Sequence, residues 1–346
     1  RIIAQAVVEA ITPYLYDTLN LAQKGFITGR SFEDHIRAIN EAFYSVVEDQ
    51  DATQESNLHI LFMDTAKAFD SIDHDFIMVA LKRAGLPGWL LRLVRGLLHQ
   101  VKVRPAFKGA SAHWISIMRG VKQGCPLSPL LFVICYDILL CRISLVDGAT
   151  PYACADDLAV TASSPAPLFR VMALVDDFRK ASGLGVNTNK TKILSAKHED
   201  LSAAISTCPW PDVGVATEYT YLGVLIGPEV TVLDVFAKAL TGLVDRAAHF
   251  APVLKHLSHM HRVITFNVFI ITKISYLVKF YPLPYTHKAK GCPQTTIERV
   301  ARRLVIRSHT AYPYFHLISP NTAASPGTPL RDAWALSLST LGPRPT

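Results

Sequence analysis

The sequence predicts a mixed α+β body of about 230 residues followed by a basic, mainly helical region. Three observations point there. Segments with helical spacing alternate with short apolar strand-like runs up to about residue 226, and no strand alternation follows. Charge divides at nearly the same place: residues 1–230 carry 21 basic and 24 acidic side chains, net −3, whereas 231–346 carry 14 and 4, net +10. Half of the 346 residues are hydrophobic and 18% are charged, which is enough to bury a core and rules out disorder throughout. That length corresponds to two or three structural units.

Residues 1–22 carry apolar positions at helical spacing (Ile3, Val7, Ile11, Leu15, Leu19, Leu21), and Lys24-Gly25 stops the pattern. The Gly-punctuated loop QKGFITGRS follows, then an amphipathic helix over 34–47 and a polar run over 48–57. Residues 58–63 form a continuous apolar run, the mark of a strand buried on both faces, with Asp64 at its end. Residues 76–100 read as helix with a break between Gly85 and Gly88, and 101–117 as a hairpin turning at Gly109. Pro126, Ser128 and Pro129 open a helix over 130–143, where an early proline forfeits no hydrogen bond. Two short strands, 152–155 and 158–161, flank a tight turn at Asp156-Asp157. A helix over 168–182 stops at Gly183, a strand follows at 192–195, and a hydrophobic hairpin turns around Gly223 within 219–226. Residues 232–257, 263–277 and 295–308 read as helices, and the segment after Pro320, rich in Pro, Thr and Ser, reads as a loosely ordered tail.

The six cysteines include no CxxC pair and no Cys/His cluster at zinc spacing, which excludes zinc fingers and disulfide scaffolds and fits a reducing intracellular compartment. The most apolar stretch, 263–281, is interrupted by Asn267, Lys273 and Lys279, so it reads as a core helix and no membrane partner is expected. Opening on Arg1 inside an apolar helical pattern, the chain reads as an excised part of something longer.

Asp64 and the Asp156-Asp157 pair are the carboxylates held by rigid local structure. An Asp-Asp turn is usually just solvated. Apolar strands that deliver several carboxylates beside a core, however, bring costly negative charge unless cations neutralise it. Hard divalent cations with oxygen ligands do so, and two of them ~3.5–4 Å apart can clamp an in-line phosphoryl displacement.

The strings LFMDTAKAFDSIDHDFI, RGVKQGCPLSPLLF, CADDLAV, GLGVNTNKTKIL and YLGVLIG occur in the order and spacing of the palm motifs of reverse transcriptases. DxxKAFD, RGxxQGxPLSP and the Ala before the Asp pair resemble the non-LTR, LINE-like retrotransposon variant, and QKGFITGRSFEDHI resembles its upstream fingers motif. The similarity runs from about Gln23 to Ile226. It implies an α+β right-hand polymerase with partial fingers (1–57), an antiparallel-sheet palm (58–230, with a fingers segment at about 76–117), a helical basic thumb (231–320) and a loose tail (321–346). It also implies that Asp64 and Asp156 bind two Mg²⁺ ions, with Mn²⁺ as a substitute, that Asp157 completes the cluster, and that Lys190 serves as general acid or phosphate clamp toward pyrophosphate. By the same resemblance Phe69 lies under the incoming sugar and excludes a 2′-hydroxyl, while Gln123 and Gly124 touch nucleotide and template. Arg119 and Lys122 would face phosphates, and Arg30 the template or triphosphate. Tyr221, Leu222 and Gly223 would form the primer grip.

The family usually has Phe or Tyr where Cys154 stands, so an aromatic near the primer end is missing. No endonuclease, RNase H or Cys/His knuckle pattern is visible. In the basic region, Lys238, Arg246, Lys255, Arg262, Lys273 and Lys279, followed by Arg299, Arg302, Arg303 and Arg307, would grip phosphates without sequence choice. The implied partners are an RNA template, a DNA primer or nicked target DNA, and dNTPs, and the implied setting is a retroelement ribonucleoprotein in nucleus and cytoplasm. Two alternatives stand beside this. A group II intron-type reverse transcriptase/maturase is disfavoured by KAFD and the lack of a maturase continuation. A catalytically inactive nucleic-acid-binding relic is disfavoured by the intact Asp64, Asp156 and Asp157.

Overall fold

The computed structural model describes residues 2–15, 17–48, 57–99, 101–104, 113–197, 199, 201–283, 296, 297 and 300. Most of the polar run at 48–57, the Gly109 turn, most of the third basic helix expected at 295–308 including its four arginines, and the tail after Pro320 lie outside them. The chain divides into two compact units, residues 1–35 with 54–216, and residues 36–53 with 217–346.

The first unit contains α1 (Ile2–Leu15) and the start of α2 (Glu33–Glu48), then β1 (His59–Met63), β2 (Thr65–Ala66), α3 (Ala68–Ser71), α4 (His74–Arg83) and α5 (Gly88–Leu98). It continues with β3 (Lys102–Val103), β4 (Ile115–Ser116), α6 (Leu127–Ile143), β5 (Ala149–Cys154), β6 (Asp157–Ala162) and α7 (Pro165–Ser182). β7 (Gly185–Val186), β8 (Lys192–Ser195), α8 (Ser202–Ser206) and β9 (Gly214–Ala216) complete it. Five strands form one sheet in the order β5-β6-β1-β8-β9. β1 is buried at every position, as its unbroken apolar run requires, and pairs antiparallel with both β6 and β8. The sheet departs from the expected antiparallel pattern at one edge, where β9 runs parallel to β8. α6 is apolar almost all round and is the buried helix of the unit, packed against α1, α4, α7 and β5. α7 ends where Gly183 takes a left-handed φ of 76°, as the sequence expects.

α1 stops at Leu15 rather than near residue 22. Leu19 is buried as the apolar spacing suggests, but from a turn: the carbonyls of Leu19 and Asn20 accept from the Arg30 guanidinium (2.9 and 2.6 Å) and are not spent in a helix.

In the second unit, the two-stranded hairpin of β10 (Tyr219–Tyr221) and β11 (Val224–Ile226) precedes α9 (Val232–Leu254), α10 (His259–Thr265), a π-helical turn over Phe266–Ile270 and α11 (Thr272–Leu277). A capping box of Thr231 and Asp234 starts α9. The single helix expected over 263–277 is thus broken by a π turn, a wider winding that shifts the apolar face midway. Ile36, Ile39, Phe43 and Tyr44 of α2 are buried, and Asn40 Nδ2 donates to Tyr281 Oη at 2.6 Å. Among the described residues no helix is long and apolar enough to cross a membrane.

Candidate active site

The sheet register brings the carboxylates together. Met63 pairs with Leu158, so the next step along β1 and β6 sets Asp64 beside Asp157. Cys154 pairs with Asp157, which leaves Ala155 and Asp156 as a two-residue turn between β5 and β6. Ala155 has a φ of +58°, a conformation hairpins usually assign to glycine. Thr65, the residue after Asp64, donates its hydroxyl to the Asp156 carbonyl at 3.1 Å, and the Asn187 N–H donates to the Asp64 carbonyl at 2.9 Å. Both carboxylate-bearing segments are therefore tied to β-structure on two sides.

This proximity has electrostatic consequences. Burial, then repulsion from Asp156 and Asp64, pushes the Asp157 carboxyl up to about 6. Burial chiefly, with Asp64 nearby, also raises Asp156. Burial and both aspartates push the neighbouring Cys154 thiol up to about 11, so it stays protonated. Lys190 brings a cation, with Nζ 3.7 Å from Asp64 Oδ2. The expected compact cluster is not closed, however: among the described residues no three His, Cys, Asp or Glu side chains converge tightly enough to hold an ion. Like charges resist convergence, and Asp64 leans to Lys190 instead. The donor chemistry still fits a divalent cation, since hard oxygens on rigid strand ends carry raised carboxyl pKa values that such a cation would reverse.

This electrostatic arrangement predicts a stability effect. The folded-state pKa of Asp157 lies above its ordinary 3.8, so its carboxyl destabilises the fold increasingly as pH rises from about 4 to about 6, and fully above that. Asp157→Asn is expected to raise stability at pH 7.5 by on the order of 1 kcal/mol, since the carboxylate is desolvated on its inner side but keeps an outer side open to water, which screens much of the cost, and to gain little at pH 4. Thermal melts at both pH values check this; an equal shift at each would exclude the buried and repelled carboxylate charge as the cause.

Phe69 sits in α3, half-buried, its ring 4.8 Å from Phe132 of α6 and edge-on to Phe26 at 6.0 Å. Phe132 stacks in turn on Tyr136, so the exposed face of Phe69 is backed by an aromatic column. Gln123 donates to Asp70 Oδ1 at 3.2 Å, one residue from Phe69. Gly124 has a φ of +77° with open space where a Cβ would point, so its need for glycine is conformational. Gly120 is held by sterics as well, because a Cβ there would lie 2.5 Å from the Asp70 carbonyl oxygen.

Lys122 is exposed in the same turn, and its carbonyl accepts from Ser128 Oγ at 2.7 Å. Arg119 is exposed and pairs loosely with Asp73 at 3.8 Å. Arg30, expected against template or triphosphate, is engaged within its own loop. Its guanidinium donates to the carbonyls of Leu19, Asn20 and Gln23, so it braces its own loop. Tyr221, Leu222 and Gly223 belong to the second unit; positive φ at Leu222 and Gly223 makes the hairpin turn, and Tyr276 Oη donates to the Leu222 carbonyl at 2.6 Å. Two residues of the QKGF string outside the expected set also reach the site. Phe26 meets Phe69, and the fully buried Gln23 hydrogen-bonds the Ala155 backbone. The only signal for either was the string itself.

A family model described as "Reverse transcriptase (RNA-dependent DNA polymerase)" matches residues 1–226. The Pol polyprotein of the type-1 retrotransposable element R2 of Popillia japonica is 32% identical over 155 residues, covering 41% of this chain and 21% of that protein. Its counterpart in Nasonia vitripennis is 27% identical over 224 residues, covering 60% and 21%. The chain thus spans about a fifth of the length of these relatives. The solved structure of apo telomerase from Candida tropicalis aligns with a TM-score of 0.51 at 11% identity, covering 87% of this chain and 51% of that one, a likeness of fold. The fold class is the α+β right-hand polymerase expected from the sequence, and the chain belongs to the reverse transcriptase family.

Proposed function

We propose that this chain extends a DNA 3′ end on an RNA template, as the polymerase part of a non-LTR retrotransposon protein. The observation that carries the proposal is the register that sets Asp64 and Asp157 at adjacent strand ends, with Asp156 in the turn between β5 and β6 and Lys190 3.7 Å from Asp64. Reverse transcriptases use divalent metal ions. Here Asp64 and Asp156 would hold two Mg²⁺ ions, with Mn²⁺ as a substitute, and Asp157 would complete the carboxylate set. When bound, such ions make the primer hydroxyl more acidic and neutralise charge on the triphosphate and the departing pyrophosphate.

The remaining roles belong to side chains. Lys190, an exposed ammonium, offers a proton or a charge to the leaving pyrophosphate. Phe69 closes the space beneath the sugar, so that dNTPs and not ribonucleotides fit. Gln123, Gly124, Arg119 and Lys122 line the approach of nucleotide and template, with Gly124 letting backbone come close. Tyr221, Leu222 and Gly223 hold the primer end. The fingers, palm and thumb limits expected from the sequence (1–57, 58–230 and 231–320) are retained as the domain assignment, with the thumb's basic side chains on the hybrid's phosphates. The setting would be a retroelement ribonucleoprotein acting on nicked target DNA.

The test is extension of a DNA primer on an RNA template with dNTPs. Extension is expected with Mg²⁺, lost on chelation and restored by Mg²⁺ or Mn²⁺. Hybrid binding without extension in either metal would favour the inactive binding relic and overturn the proposal.

A further inference from the structure

We propose that Gln23 is a positioning residue for the carboxylate turn, setting Asp156 and Asp157 through the backbone of Ala155. The inference rests on the polymerase function proposed above and adds a residue outside the carboxylate set. Its starting point is the turn's conformation: Ala155 at φ +58° is uncommon for a residue with a Cβ, and such backbone persists only where its surroundings over-determine it.

The surroundings are the 22–25 segment. Gln23 has no exposed surface, and its amide takes up both polar groups of Ala155. Oε1 accepts the Ala155 N–H at 2.8 Å and Nε2 donates to the Ala155 carbonyl at 3.2 Å. Oε1 also accepts the Gly25 N–H at 2.8 Å. Two backbone donors converging on one amide atom fix that atom as the oxygen, so the side chain has one workable orientation. Backbone bonds extend the attachment, from Lys24 N–H to the Ala153 carbonyl and from Ala153 N–H to the Ala22 carbonyl, both 2.8 Å. The approach is close enough that a Cβ on Gly25 would lie 2.2 Å from the Ala155 nitrogen, so position 25 admits only glycine. The segment is itself braced by Arg30, on the carbonyls of Leu19, Asn20 and Gln23, and by His35 Nε2 on the Ala22 carbonyl at 2.8 Å.

The QKGFITGRS string thereby acquires one physical task for three of its members, Gln23, Gly25 and Arg30, and for His35 beyond it. Gln23 grips the turn, Gly25 permits the approach, and Arg30 with His35 holds the gripping loop. Gln23 touches no substrate in this scheme. Loosening it lets the adjacent carboxylates drift, and misplacement of about 1 Å at a reacting centre can cost on the order of a hundredfold in rate.

The test uses Gln23→Met, of similar length but without hydrogen-bonding groups, and Gln23→Glu, which retains the acceptor for Ala155 and Gly25. Gln23→Met is expected to lower kcat about a hundredfold and to weaken Mn²⁺ binding, followed by paramagnetic resonance titration without nucleic acid, by about tenfold. Hybrid Kd and the KM for dNTP should change less than about twofold, and Gln23→Glu should recover part of the loss. Should Gln23→Met fail to fold, Gln23→Asn, which keeps the amide but withdraws it by one methylene, carries the same comparison. Unchanged kcat and Mn²⁺ affinity in the folded variant would overturn the inference. So would a loss shared equally by hybrid binding, which marks general structural damage. Asp156→Asn is titrated alongside: if it binds Mn²⁺ as tightly as wild type, the metal assignment fails, a result distinct from failure of the Gln23 inference.

Discussion

Asp156→Asn is expected to lower primer extension by about a thousandfold or more while leaving fold and hybrid binding intact. The substitution keeps shape and removes one charge. At this position the charge serves no folding purpose: burial and the neighbouring Asp64 raise the carboxyl's pKa, so the folded chain bears the anion at a cost. An aspartate placed there at a cost makes sense as a ligand to divalent ions, whose stabilisation of a phosphoryl-transfer transition state amounts to several kcal/mol, and each 1.36 kcal/mol is a factor of ten in rate. Asp156 also lies in the two-residue turn, where neither neighbour can be re-aimed without disturbing β5 or β6. Single-turnover extension beside a hybrid-binding titration provides the check. Extension within tenfold of wild type would remove Asp156 from the metal set. A parallel loss of binding would point to damage in the sheet rather than at the reacting centre.

The elements closest to this turn were also the most legible in the sequence, for a physical reason. β1 is buried on both faces and so must be uniformly apolar, and the turn must be short because strands on either side of it pair directly. Gly183 had to end α7 because a left-handed residue stood there. What escaped was governed by long-range partners. β9 has three residues and no period of its own; it exists because the β8 edge is available to pair with it, in parallel. Residues 16–22 look helical, yet Arg30, up to 11 positions further on, draws the Leu19 and Asn20 carbonyls out of any helix. A ligand contact for Arg30 is implied only by the family resemblance. In the structure its guanidinium donates to backbone carbonyls, which leave no trace in residue type. Gln23 escaped in the same way, since the group it holds is a peptide unit 132 positions away.

Phe69→Val is expected to relax sugar discrimination, raising ribonucleotide incorporation relative to deoxyribonucleotide by about a hundredfold with little change in dNTP use. The magnitude follows from what an apolar wall can do: rejecting a substrate that differs by one added hydroxyl is worth about that factor when shape alone acts. The wall must also be stiff. Phe69 satisfies this, for its ring is wedged between Phe132 at 4.8 Å and Phe26 at 6.0 Å, and Phe132 is itself stacked on the buried Tyr136. The backbone at this point is fixed too, with the Val121 N–H donating to the Phe69 carbonyl at 2.7 Å. Valine is shorter and leaves a gap beside Phe132 that the column cannot close without moving α6, the buried helix of the unit. The space freed therefore stays open to a 2′-hydroxyl. The measurement is the ratio of kcat/KM for each ribonucleotide and its deoxy counterpart, in wild type and variant. An unchanged ratio with normal dNTP kinetics would show that Phe69 is a core aromatic only. A fall in dNTP incorporation equal to any gain in ribonucleotide use would show that the ring supports the nucleotide site as a whole and does not select the sugar.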